Sequence, residues 1–97
     1  MPADLVANVR FRSREKAQEY IAGVAPIVAH HGGRYLARTA SVEVLEGEWH
    51  PTAVALGEFP SLEAARRFYD SPEYQPFKRL RGENADSEIV LVEGLTI

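Results

Sequence analysis

Leu5, Ala7, Val9 and Phe11 alternate with Asp4, Val6, Asn8 and Arg10, and a period of two marks an extended strand whose side chains point to two faces in turn. After Ser13 the period lengthens. Ala17, Tyr20, Ile21, Val24, Ile27 and Val28 recur at three- and four-residue spacing, the stripe of an amphipathic helix. Ser13 supplies its N-cap, and Gly32 and Gly33 supply a stop that tolerates positive φ. Pro26 lacks a backbone donor and crowds the preceding turn, which predicts a kink. Arg34 to Leu45 reads as a second strand, Glu46 to Pro51 as a turn, and Thr52 to Phe59 as a third strand completing a hairpin. Ser61 caps a second helix with Leu62, Ala65, Phe68 and Tyr69 on one stripe, and Glu88 to Val92 forms the last strand.

The run FYDSPEYQPFKRLR, from Phe68 to Arg81, interrupts that second helix. Ser71 suits an N-cap and Pro72 a first helical position, but Pro76 cannot donate the hydrogen bond that a helix begun at Pro72 would need. The chain must restart there. The expectation is a single turn over Pro72 to Gln75 and a short helix from Pro76 to about Arg81, with Tyr74 on the corner.

The order βαββαβ, with right-handed crossovers, gives an α+β ferredoxin-like plait: a four-stranded antiparallel sheet with both helices on one face. The other face then lacks a cover. Yet both parities of the strands are apolar, Ile89 and Leu91 opposing Val90 and Val92, and Val54 and Leu56 opposing Ala53, Ala55 and Phe59. A second copy packed sheet to sheet solves this, because burial of apolar area is worth about 25 cal/mol per Å². The expected assembly is a homodimer through the sheet faces.

A chain of 97 residues is expected to form one domain over residues 1–97, burying roughly 65% of its unfolded surface. There is no cysteine, which excludes disulfides and thiolate chemistry and suits a reducing cytoplasm. The start, MPADLVANVRF, has no basic segment followed by an apolar run, and no stretch approaches the roughly 20 apolar residues of a membrane span. A soluble, cytoplasmic protein is expected, with no membrane partner. The net charge of −3 repels a polyanion and argues against nucleic acid.

YDSPEYQPFKRLR, together with GGRYLAR (Gly32 to Arg38), VEVLEGEW (Val42 to Trp49) and VEG (Val92 to Gly94), resembles the family catalogued as domain of unknown function 1330, over nearly the whole chain. That family falls among the dimeric α/β barrels, with antibiotic-biosynthesis monooxygenases, haem-degrading monooxygenases and muconolactone isomerase-like enzymes. Where the family pattern has glycine after LAR, this chain has Thr39 and Ala40. The resemblance implies a small-molecule site between sheet and helices.

Several residues are candidates for that site. Asn8 interrupts an apolar strand, where it is either satisfied by neighbouring backbone or orients a carbonyl, as an Asn on this strand does in some haem-degrading relatives. Haem itself is not expected, because Ser61 to Arg81 offers no axial histidine. Arg38 and Glu58 are ionisable groups within apolar segments, either a cross-strand ion pair or the flank of a pocket. Tyr69 and Tyr74 bracket the helix break and serve as core aromatics with a wet edge or as donors to a quinone or phenol. Lys78, Arg79 and Arg81 read as a solvated helix face, with Arg81 alternatively holding an acidic ligand. His30 and His31 end the first helix, where an imidazolium suits the dipole. Adjacent helical positions diverge by about 100°, and His50 lies in a distant turn, so no metal is expected. No nucleotide, phosphate or zinc motif appears, and no cofactor is expected. The reading is a small-molecule-binding dimer, either a cofactor-independent monooxygenase or isomerase-like enzyme acting on a small aromatic or quinone-like compound around Asn8, Tyr74 and Arg81, or a non-enzymatic binding or stress-related dimer.

Overall fold

The computed structural model describes residues 1–95. Strand β1 (Ala3–Phe11) leads to helix α1 (Arg14–His30), strands β2 (Arg34–Thr39) and β3 (Val54–Phe59), helices α2 (Leu62–Asp70) and α3 (Gln75–Asn84), and strand β4 (Ala85–Glu93). The sheet is antiparallel with the order β2-β3-β1-β4, which is the ferredoxin-like arrangement with its second helix in two pieces. Both helix starts are capped as the sequence predicts. Ser13 Oγ accepts from the Lys16 amide at 3.3 Å and Ser61 Oγ from the Ala64 amide at 3.0 Å, satisfying donors that a first turn leaves free. Helix α1 runs through Pro26 without interruption.

Register divides the side chains of the sheet. Leu5 stands opposite Gly57 and Leu91, and Leu5, Leu91 and Phe59 face the helices. There they meet Val24, Ile27 and Val28 of α1 and Ala64, Ala65 and Phe68 of α2. On the opposite face Val6 stands between Leu56 and Val90, and Val90 and Val92 remain 57% and 47% exposed in the single chain. Among the described residues nothing covers that apolar face.

The helix break follows the prolines. Past Asp70, the Tyr74 amide donates to the Ser71 carbonyl and hydroxyl at 3.2 and 3.3 Å, and the Gln75 amide to the Pro72 carbonyl at 3.3 Å, which closes one isolated turn. Gln75 Nε2 then donates to the carbonyls of Tyr69 and Ser71, each at 3.0 Å, so the end of α2 keeps partners for its free acceptors. Helix α3 extends to Asn84, beyond the expected end near Arg81.

Two strands are shorter than expected. β2 stops at Thr39 rather than Leu45, and β3 starts at Val54 rather than Thr52. The ladder explains both: Thr39 pairs with Val54, the last partner β3 offers, and the Thr39 hydroxyl accepts from the Ser41 amide at 2.9 Å, turning the chain away. β4 is longer than expected because all of β1 lies beside it, from Ala3 opposite Glu93 to Phe11 opposite Ala85.

Where α1 meets β2, Gly32 takes φ +80°, which costs glycine nothing. Gly33 follows for a different reason: a Cβ there would lie 2.6 Å from the Phe59 ring, and Phe59 is only 2% exposed, so the ring has nowhere to go. Gly33→Ala should therefore destabilise the protein by about 1–3 kcal/mol, the usual cost of overpacking, read as an earlier midpoint in urea at unchanged slope. An unchanged midpoint would mean that Phe59 is free to move.

Candidate functional site

Between the sheet and the helices lies a cavity of about 530 Å³. Its sheet wall combines aliphatic residues, including Leu5, Ala7, Val9 and Ile89, with the rings of Phe11, Tyr35 and Phe59, and four more aromatic side chains, Tyr20, Phe68, Tyr69 and Tyr74, come from the helices and the corner between them. Flat rings at several angles suit a planar guest. The Phe68 and Tyr74 centroids are 4.6 Å apart, Tyr69 and Tyr74 5.8 Å, and Tyr20 and Tyr74 6.4 Å.

Besides the tyrosines, the polar residues of the cavity lining are Arg10, Arg38, Thr39 and Thr52. The hydroxyls of Tyr20 and Tyr74 share a hydrogen bond of 2.7 Å. Behind them Arg81, only 7% exposed, donates from one terminal nitrogen to Ser87 Oγ at 3.0 Å, while its Nε has no partner. Burial disfavours the guanidinium charge, but the Tyr74 and Tyr20 oxygens outweigh it and raise the Arg81 pKa. A second group sits on β2, where the Arg38 guanidinium lies 4.8 Å from the centroid of the Tyr35 ring. Both residues line the cavity because a bulge between Tyr35 and Ala37 puts positions three apart on one face.

The expected site residues do not all meet. Tyr74 and Tyr69 line the cavity, and the Lys78 ammonium caps the Tyr69 ring at 4.2 Å from its centroid. Arg81 is buried rather than solvated and stands behind the phenols, not in the lining. Asn8 corrects the expectation of a shared pocket: it shares the parity of Val6, on the far face of the sheet. There its side-chain amide donates to Glu88 at 3.2 Å and its carbonyl oxygen accepts from the Thr52 and Ala53 amides, each at 3.2 Å. It fastens the start of β3. The expected pairing of Arg38 with Glu58 is also corrected, since Glu58 instead binds Arg34 through Nε at 3.1 Å and a terminal nitrogen at 3.0 Å. His30 and His31, expected to diverge, have ring centroids 5.1 Å apart, because His31 has already left helical geometry at φ −96° and ψ 17°.

Tyr20 and Tyr35 are the residues that sequence reasoning passed over, one counted as a helix-stripe position and the other as part of a strand. A buried phenol needs a partner for its hydroxyl, and that need is the available signal. Burial first, and the neighbouring Tyr74 second, push the Tyr20 pKa well above the ordinary phenol value of 10.0. Burial also raises Tyr35, against the pull of Arg38. At neutral pH both are uncharged donors. Since the folded pKa values exceed the unfolded ones, the stabilisation is fully present below about pH 10 and is lost as pH rises through the folded values. Stability should thus fall more steeply above pH 10 in the wild type than in Tyr20→Phe, as chemical denaturation at a series of alkaline pH values would reveal; parallel curves would contradict the burial of that hydroxyl.

The chain is similar to known structures throughout its length. A protein of unknown function from Rhodopseudomonas palustris, RPA0582, is 21% identical with a TM-score of 0.75, covering 99% of this chain and 84% of that one. SnoaB, a cofactor-independent oxygenase from Streptomyces nogalater, is 15% identical with a TM-score of 0.68, covering 99% and 95%. A dimeric ferredoxin-like protein of unknown function from Thermobifida fusca is 14% identical with a TM-score of 0.66, covering 94% and 89%. These likenesses carry the fold. No curated protein matches the chain. The sequence itself settles the kinship: with residues 2–95 matched, the chain belongs to the family described as domain of unknown function (DUF1330).

Proposed function

We propose that the protein is a homodimer that takes a small, planar, weakly acidic aromatic compound of the phenol or quinol class into the cavity and oxygenates it without a cofactor. One observation carries this reading: an apolar, aromatic-rich cavity in which the Tyr20–Tyr74 phenol pair is backed by buried Arg81 and Arg38 stands in the lining. Such a constellation stabilises an oxyanion on a flat ring, because donors and positive charge in apolar surroundings act more strongly than in water. The likeness to SnoaB agrees with it at the level of fold.

The same geometry limits the substrate. Among the described residues no histidine or carboxylate lines the cavity, and Tyr20 and Tyr35 hold their protons, so the site offers no general base of neutral pKa. The substrate must be acidic enough to ionise once its oxyanion is held. Its carbanion form then gives an electron pair to dioxygen. The ring carbon that carries the carbanion, a CH₂ in the keto tautomer of the phenol, becomes a carbonyl: one oxygen atom remains on the carbon, and the other leaves as water with the two hydrogens. The residues contribute orientation, oxyanion stabilisation and exclusion of water. Tyr74, Tyr20 and Arg38 touch the ligand, Tyr69 packs on it, and Arg81 acts through Tyr74.

The missing base equally favours a second reading, binding without turnover. A panel of quinols, phenols and small aromatic acids scored by thermal shift and by oxygen uptake separates the two. Uptake with at least one quinol supports oxygenation, binding alone supports the second reading, and a panel without hits sinks both. Arg38→Gln should weaken a hit by about tenfold or more and Tyr74→Phe by about two- to tenfold, the cost of losing a charged and a neutral hydrogen bond. Arg81→Lys should retain more affinity than Arg81→Met if charge behind the phenols matters.

The apolar sheet face supports the dimer, as does its likeness to a dimeric ferredoxin-like protein. Sedimentation at micromolar concentration should give a dimer, and Val90→Asp, which sets a charge on that face, should give a monomer. A wild-type monomer would remove the assembly from the proposal.

A further inference from the structure

The helix break faces two ways. Tyr74 turns into the cavity, and its neighbour Glu73 turns outward to the end of α1. There Glu73 Oε1 lies 3.0 Å from His30 Nδ1 and 3.6 Å from His31 Nε2, and one donor atom from each of the three residues lies within 4.8 Å of the others. We propose that His30, His31 and Glu73 bind a divalent transition-metal ion of the zinc class, which clamps the α2–α3 corner to the C-terminus of α1.

The orientation of the His31 ring carries the argument. Its Nδ1 lies 3.0 Å from the Ile27 carbonyl oxygen, which can only accept, so Nδ1 is the donor in that contact and Nε2 is turned toward Glu73. The Glu73 oxygen lies 3.6 Å from that Nε2 and 3.0 Å from His30 Nδ1, so three donor atoms converge on one point where a cation fits. A histidine whose second nitrogen donates to a backbone carbonyl is the arrangement that fixes a metal ligand in tautomer and direction. The ring is held further by its edgewise contact with Phe68, centroid to centroid 6.1 Å.

The donor set fits the metal class. Two imidazoles and a carboxylate suit zinc, copper or nickel, and three protein ligands leave a fourth position for water. Bonds of about 2.0–2.2 Å in a tetrahedron put donor atoms roughly 3.3–3.6 Å apart. The observed separations bracket that value, and His30, its side chain 70% exposed, has room to adjust. The expectation that the two histidines diverge fails because His31 is the cap residue, not a helical one.

Calorimetric titration of the chelator-treated full chain with zinc chloride tests this. Wild type and His50→Ala should each bind one zinc per chain saturably, and His30→Ala and Glu73→Gln should each lose affinity by at least the roughly 10- to 100-fold that a second-shell change costs. Both substituted residues are exposed, so folding is not at stake. Zinc should also raise the wild-type Tm, and Glu73→Gln should abolish that rise. Absence of saturable binding would mean that the three residues form an ordinary hydrogen-bonded surface cluster, and binding untouched by His30→Ala and Glu73→Gln would place the metal elsewhere; either result overturns the proposal.

Discussion

The structure turns on one backbone constraint: neither Pro72 nor Pro76 has a hydrogen to give, and Ser71 ahead of Pro72 is already extended at φ −64° and ψ 145°, so the chain that leaves the sheet as α2 cannot reach β4 as a single helix. The isolated turn between Ser71 and Gln75 follows from it, as does the full burial of Tyr74, which is 1% exposed. A Tyr side chain on a continuous helix would have to keep to that helix's stripe. On a corner it is free to stack on Phe68, whose ring in turn meets Phe59 at 5.4 Å, so the core of the molecule is organised from the break. Corner and core are mutually dependent. Ser71 and Gln75 satisfy the backbone of the corner, and the aromatic stack makes an interruption tolerable that would otherwise cost about 3 kcal/mol or more.

Features decided by neighbouring residues were legible in the sequence. Ser13, Ser61, Gly32 and the prolines act within a few positions, and the periods of β1 and α1 are set by local geometry. Features decided by pairing were not. β2 ends at Thr39 because β3 offers it no partner beyond Val54, and nothing in Ser41 to Leu45 states that. The bulge between Tyr35 and Ala37 is the sharper case. Without it Arg38 would share a face with Arg34 and Glu58, and the expected ion pair would be reasonable; with it Arg38 crosses to the cavity and Arg34 takes the carboxylate.

The candidate site was half legible for the same reason. Tyr69 and Tyr74 are local to the break, and both line the cavity. Tyr20 lies 54 residues from the hydroxyl it bonds, and the burial of Arg81 depends on Ser87 in the following strand. Asn8 was expected either to orient a carbonyl in the pocket or to be satisfied by neighbouring backbone; parity assigns it to the other face, where it accepts from the Thr52 and Ala53 amides at the entry to β3. A polar residue on an apolar strand announces that it has partners, and the pairing decides which ones.

The lining of the cavity limits what its contents can be. The cavity of about 530 Å³ opens to solvent, so the space is filled, by water or by a guest. Water is held well only where polar atoms supply two or more hydrogen bonds, and here such atoms stand at the Tyr20–Tyr74 pair, at Arg38 and at the other polar lining residues, leaving the apolar part of the sheet wall bare. Solvent over that wall is easily displaced by carbon. On the proposed reading, an amphiphilic guest with a flat hydrocarbon body and one or two oxygens gains on both counts, and the asymmetry would orient it with its oxygen toward the phenols of α1 and the corner and its ring edge against Leu5, Ala7 and Ile89.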